Sequence, residues 1–134
     1  MKAYVTDTHP LVWFFAKREK LSSKVLKIFE DCENNYSVMY IPTPVIWEIG
    51  LLLRTGKIRF KMSLREWYQK LSQYKTFIVL PLEPETVIKS NDLVLSENED
   101  PFDRIIVASA LSMDCPLITV DGYIHDSNAV EIIW

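Results

Sequence analysis

Asp7, Glu48, Asp103 and Asp121 are the residues of this 134-residue chain whose types and spacing could do chemistry. Asp7 ends the strand-like run Lys2 to Thr6, and Asp121 ends the run Leu117-Ile-Thr-Val120. In an open α/β sheet, ligands bind beyond the carboxyl ends of the strands, where strand order reverses. If these two strands are neighbours there, two carboxylates face each other. Glu48 lies about one turn into a helix, and Asp103 lies at the start of another that feeds the Asp121 strand. Both helices can reach the same sheet edge. Clustered carboxylates suit Mg²⁺, which takes oxygen ligands in an octahedron and keeps several waters. One or two such ions activate a water and stabilise the leaving oxygen in phosphodiester cleavage. Without an ion, like charges this close repel and raise one another's pKa. A cluster that converges is therefore costly without its ion, which favours a functional reading.

Each acid also has a structural alternative. An aspartate at a strand end is often a cap or turn residue. Glu48 sits among Val45, Ile46, Trp47, Ile49 and Leu51, where it needs a buried partner or marks the exposed stripe of an amphipathic helix. Asp100 reads as an N-cap with Pro101 in the first helical position, and as an accessory to the site at most. Asp103 then falls in the first turn, where an acid stabilises any helix. Thr119 shares a strand face with Asp121 by period-two alternation, while Thr6 should point away from Asp7. Thr119 could hold a water of the site or orient Asp121, or it is there for β-propensity. His9 is expected to make a structural hydrogen bond near the loop, and Arg104 a structural or partner-facing salt bridge.

The elements that must position these residues alternate along the chain. Strands are expected at Lys2 to Thr6, Val38 to Ile41, Phe77 to Leu80, Pro116 to Val120 and Val130 to Ile133. Between them come helices opened by His9-Pro10, by Ser22 or Ser23, by Thr43-Pro44, by the capping box Ser63 to Glu66, by Glu83-Pro84 and by Asp100-Pro101. Asn34-Asn35 and Gly56 end two of them, and the Glu83-Pro84 helix is expected to run through Leu95. This alternation is the signature of a parallel sheet covered on both faces, in a single domain over residues 1–134.

Composition narrows the field. Half of the chain is hydrophobic, enough for a real core, and its three glycines exclude glycine-rich phosphate loops. With a strand-like run from the first residues no signal peptide is expected, and the longest uncharged apolar stretch, Ile105 to Met113, is too short to span a bilayer. Cys32 and Cys115 share no zinc or redox motif, so a cytoplasmic protein with reduced thiols is expected. The net charge of −3 argues against a simple nonspecific DNA binder. A metal-dependent nuclease can still be acidic, since its basic residues need only be local.

Four segments in order resemble the PIN-domain nucleases, and the VapC toxins among them. They are Val5-Thr-Asp-Thr-His-Pro-Leu-Val-Trp13, Pro42-Thr-Pro-Val-Ile-Trp-Glu-Ile49, Asp100-Pro-Phe-Asp-Arg-Ile-Ile-Val-Ala108 and Leu117-Ile-Thr-Val-Asp121. The resemblance implies a three-layer α/β/α fold with a parallel sheet of about five strands in the order 3-2-1-4-5. It implies Mg²⁺- or Mn²⁺-dependent endoribonuclease activity carried by Asp7, Glu48, Asp103 and Asp121, with a cognate antitoxin and a homodimer. Two alternatives stay open: a PIN-type RNA-processing nuclease without an antitoxin, and an inactive module that binds RNA or protein. Where relatives often carry an aromatic after the last acid, Gly122-Tyr123 stands here.

Arg54, Lys57, Arg59, Lys61 and Arg65, with Lys17, Arg18 and Lys20, could flank the acidic site and hold RNA phosphates. A solvated loop is the default reading of such a run. Aromatic and aliphatic residues around Trp13 and Trp47 exceed what one helical face needs. Any exposed remainder suits a dimer partner or an antitoxin helix.

Overall fold

The computed structural model describes residues 1–95 and 99–134. Among the described residues five strands form one sheet: β1 (Lys2–Thr6), β2 (Ser37–Pro42), β3 (Phe77–Leu80), β4 (Leu117–Ile118) and β5 (Ile132–Ile133). Their order is β3-β2-β1-β4-β5, and every pairing is parallel. Parallel neighbours need crossovers, and the helices that make them cover the sheet faces. The strands are accordingly apolar and buried: Val5, Met39, Ile41, Leu117 and Ile118 are inaccessible to solvent. Fold class and strand order agree with the expectation.

Among the described residues there are seven α-helices: α1 (Thr8–Ala16), α2 (Ser23–Glu33), α3 (Thr43–Arg54), α4 (Leu64–Leu71), α5 (Pro84–Asp92), α6 (Pro101–Met113) and α7 (Gly122–Ser127). An aromatic cluster ties α1 and α2 to β3. Phe14 stacks on Phe29 at 4.9 Å between centroids, and Phe77 lies 6.0 Å from Phe14. Such pairs add about 0.5–1.5 kcal/mol each beyond the area they bury. No helix among the described residues is long and apolar enough to cross a membrane.

The capping signals mostly act as read. Ser22 Oγ accepts from the Val25 N–H, and Ser63 Oγ accepts from Glu66 N–H while donating to its carboxylate. Asn35 and Gly56 take positive φ after α2 and α3. Thr43 departs from the expectation. It is the first residue of α3 rather than its cap, and its hydroxyl donates to the Leu80 carbonyl at 2.5 Å, fastening α3 to the end of β3.

Three other elements differ from their expected bounds. The helix expected through Leu95 ends at Asp92. The carbonyls of Asn91 and Leu93 instead accept from the Arg104 guanidinium, at 3.4 and 2.6 Å, which leaves Leu95 free to bury itself in the core. Arg104 is thus a structural tie to backbone. The strand expected over Pro116 to Val120 pairs only at Leu117–Ile118, because the chain must turn at Thr119 to start α7, a helix the sequence pattern did not signal. The last strand likewise shrinks to Ile132–Ile133.

Candidate active site

The strand order reverses at β1. The chain runs outward through β2 and β3, then crosses back to place β4 and β5 on the other side. Val5 pairs with Leu117 and Thr6 with Ile118, so β1 and β4 end side by side. Asp7 is the first residue beyond β1, and its N–H donates to the Ile118 carbonyl at 2.9 Å. Asp121 comes three residues after β4, as the N-cap of α7. The α/β rule that ligands gather at such a crevice therefore applies to these two acids.

Asp7 is held by both oxygens. Its Oδ1 accepts from the Thr8 N–H at 2.7 Å, which caps α1, and its Oδ2 accepts from the Thr119 hydroxyl at 2.7 Å. Thr119 Oγ1 in turn accepts from the Asp121 N–H at 3.1 Å. One buried hydroxyl thus fixes the Asp7 carboxylate and the turn that carries Asp121. Period-two alternation had suggested a shared strand face, but the turn does the joining. The carboxylate that Thr119 orients is Asp7. Asp121 Oδ1 accepts from the Ile124 N–H at 3.0 Å, and His125 Nε2 lies 3.0 Å from the Thr119 carbonyl.

Glu48 is half-buried, and the hydroxyl of Thr8 donates to its Oε1. Thr8 was not singled out in the sequence. Its signal was only adjacency to Asp7, and its partner lies 40 residues away. Asp100 caps α6, its Oδ1 accepting from the N–H groups of Phe102 at 2.8 Å and Asp103 at 3.3 Å. Asp7, Glu48, Asp100, Asp103 and Asp121 line one cleft of about 220 Å³, with His9 and Val120 completing its wall. Elements from four parts of the chain meet there. His9 is exposed on α1, its ring 5.8 Å from that of Trp13.

The cleft is electrostatically strained. Burial pushes the Asp7 carboxyl above the ordinary carboxylate range, against the pull of its hydrogen bonds from Thr119 and Thr8. Asp121 pushes it further up. Burial likewise raises Glu48, with Asp7 and Asp100 adding repulsion and Thr8 opposing. The N-termini of α1 and α6 offset part of this through their partial positive charge, about 0.3–1 kcal/mol each.

An all-oxygen set of carboxylates matches a hard divalent cation in donor type. Among the described residues no group of three or more His, Cys, Asp or Glu side chains forms a close-set ligand cluster. Mg²⁺ does not require one, since it is usually bound through one or two carboxylates and keeps its waters. The buried, hydrogen-bonded Asp7 fits such an ion, because each of its oxygens keeps a lone pair after one hydrogen bond.

The PIN domain family matches residues 4–128 of this sequence. The chain belongs to the PIN domain family. None of the curated proteins matches it in sequence. Among solved structures, VapBC2 from Rickettsia felis, bound to a DNA fragment from its promoter, is similar with a TM-score of 0.68 at 12% identity, covering 98% of both chains. FitAcB from Neisseria gonorrhoeae gives a TM-score of 0.68 at 13% identity, covering 98% of this chain and 96% of that one. DNA-bound VapBC from Salmonella typhimurium gives 0.66 at 14% identity, covering 99% and 98%. At these identities the likeness is one of fold.

The basic residues of this PIN domain divide. Lys57 and Arg59 line a groove with Lys17 and Lys20, and Lys61 lines the next groove with Arg59. Arg54 is exposed at the end of α3 and lines neither, while Arg18 pairs with Glu33 at 3.1 Å. Trp47 is 60% exposed, its ring edge-on to Phe102 at 5.1 Å, so the apolar excess of α3 is only partly absorbed by the core.

Replacing Thr8 by valine tests the second of the two hydroxyl contacts. The variant should lose about 1 kcal/mol of stability. Any metal-dependent cleavage should fall by roughly 10-fold, as for partners that orient ligands, and serine should restore it. Cleavage by Thr8→Val at the wild-type rate would show that Glu48 needs no such support.

Proposed function

We propose that this PIN domain is a Mg²⁺- or Mn²⁺-dependent endoribonuclease that acts as the toxin of a toxin–antitoxin pair. The observation that carries the proposal is the meeting of Asp7, Glu48, Asp103 and Asp121 in one cleft at the switch point of the sheet. Family membership supports a nuclease, since PIN domains as a rule cleave phosphodiesters. Several of the similar folds come from VapBC or other toxin–antitoxin complexes, which supports a cognate antitoxin. A homodimer and an RNA substrate belong to the same proposal.

In this reading Asp7, Glu48, Asp103 and Asp121 hold the ion, and Asp100 is an accessory that sets the start of α6. When bound, the ion supplies an activated water and charge stabilisation at the leaving oxygen. The chain supplies placement. Thr119 and Thr8 fix the rotamers of Asp7 and Glu48, so the site is ordered before substrate arrives. Fixed groups cost no reorganisation as charge develops during the reaction. Burial of Asp7 keeps bulk water from screening it.

The test is incubation of the purified protein with a panel of tRNA and rRNA fragments in Mg²⁺, Mn²⁺ or EDTA, alongside Asp103→Asn. Cleavage should require metal and should fall by roughly 10³-fold in the variant, about 4 kcal/mol of barrier. Undiminished cleavage in EDTA would overturn the metal-dependent reading. The toxin half is tested by expression in cells. Growth arrest by the wild type, absent with Asp103→Asn and relieved by a small protein encoded beside it, is the expected pattern.

A further inference from the structure

Two stretches distant in sequence bring positive charge to one side of the acidic cleft. Lys17 and Lys20 follow α1, and Lys57 and Arg59 follow α3. They meet around a groove of about 460 Å³, with Trp13 and Ile58 in its apolar wall. Lys17 and Arg59 also border a second groove of about 370 Å³, where Lys61 and Lys70 join them beside Phe60 and Trp67. His9 lies in the wall of both the first groove and the acidic cleft. The three depressions therefore share walls in series.

Among the described residues no carboxylate lines either groove. All six of these cations are exposed, and none is ion-paired with a carboxylate among the described residues. In a chain of net charge −3, this is a local positive field with no carboxylate ion-paired to it among the described residues. Sites for single strands combine a basic groove that follows the phosphates with aromatic faces that stack the bases. Trp13 is half-buried, with the Lys20 Nζ 5.6 Å from its ring centroid, so a cation and an aromatic face stand together.

We infer that the two grooves hold a single-stranded segment of RNA on one side of the scissile bond. Lys17, Lys20, Lys57 and Arg59 take its phosphates, beside the half-buried Trp13 in the groove wall. A single strand can bend along the series and turn its bases outward, whereas a duplex keeps them paired inside. The identity of the strand rests on the nuclease reading, but the binding can be measured without it.

The measurement is fluorescence anisotropy of a labelled oligouridylate of about ten nucleotides, within the usual range of such sites, titrated in EDTA over a series of salt concentrations. The Lys57→Ala/Arg59→Ala variant should bind about tenfold more weakly or worse. Its plot of log K against log salt should be shallower by about 1.4, two contacts at about 0.7 each for single strands. Lys24→Ala/Lys75→Ala, at exposed lysines outside the grooves, should bind within about twofold of the wild type. An RNA duplex of the same length should bind less tightly than the strand. Unchanged affinity and slope in the groove variant, an equal loss in the control, or equal binding of duplex would each overturn the inference. So would a wild type that ignores the oligonucleotide at low salt, leaving the grooves to an acidic protein segment. Cleavage is scored separately with metal. Weakened binding with no wild-type cleavage would sink the nuclease reading alone, and wild-type cleavage by the groove variant at unchanged KM would sink the groove alone.

Discussion

Replacing Asp7 by asparagine is expected to lower RNA cleavage by roughly 10³-fold while making the metal-free protein more stable. The loss follows from the proposed role of Asp7 as a charged oxygen ligand in the cleft. The gain follows from the cost of burying that charge. Burial raises the Asp7 pKa in the folded chain above its ordinary value of 3.8. At pH values between the ordinary and the raised pKa, the folded chain holds a proton that the unfolded chain has released. Stability then falls as pH rises through that window, and above it the full penalty remains. Asparagine removes the titration and can still accept from the Thr8 N–H. In EDTA the melting temperature of the variant should exceed that of the wild type by a few degrees at pH 8, and by much less at pH 4. A variant less stable than the wild type at pH 8 would mean that the hydrogen bonds from Thr8 and Thr119 fully compensate the buried charge. Saturating Mg²⁺ or Mn²⁺ should close the gap from the other side, by stabilising the wild type alone.

Thr119→Val should have the next largest effect, because one hydroxyl serves two groups. The substitution leaves Asp7 Oδ2 without its donor and the partly buried Asp121 N–H without its acceptor. Stability should drop by about 1–3 kcal/mol, and cleavage by roughly 10- to 100-fold. The pH profile separates this role from simple packing. Donation to a carboxylate favours its charged form, and the Thr119 hydroxyl lowers the Asp7 pKa. Without it Asp7 ionises at higher pH, so the acidic limb of the rate profile should move upward. Thr119→Ser should restore both the limb and the rate. A valine variant with reduced activity but an unmoved acidic limb would make Thr119 a packing residue.

The parts of this fold that local physics determines were legible in the sequence. Ser22, Ser63 and Asp100 announce their helices because a cap acts within three residues. β1 and β2 read as strands because Ala3 to Val5 and Val38 to Ile41 are short apolar runs that the fold largely buries. Four acids could be named because each sits at a strand end or early in a helix, where a sheet edge collects side chains. The choice between cap and functional residue could not be made for Asp7 and Asp121, and the structure shows why. Both cap a helix and face the cleft, so the two readings were never exclusive. What escaped depends on distance along the chain. Thr119 meets Asp7 across 112 residues, and Thr8 meets Glu48 across 40. The helix α7 has only six residues and opens on glycine, too short for a hydrophobic period to show. The basic run looked like one loop, yet the structure sorts it. Lys57 and Arg59 join Lys17 and Lys20 around a groove, and Arg54 stays outside.

The claim on which the rest depends is that the acidic cleft is a divalent-metal site centred on Asp7. Calorimetric titration of Mn²⁺ into the metal-free wild type and Asp7→Asn tests it without any substrate. Saturable binding by the wild type and a loss of that binding in Asp7→Asn are the expected results. Absence of binding by a folded wild type, or equal binding by the variant, would contradict the account and leave a PIN domain that recognises RNA or protein without cutting it.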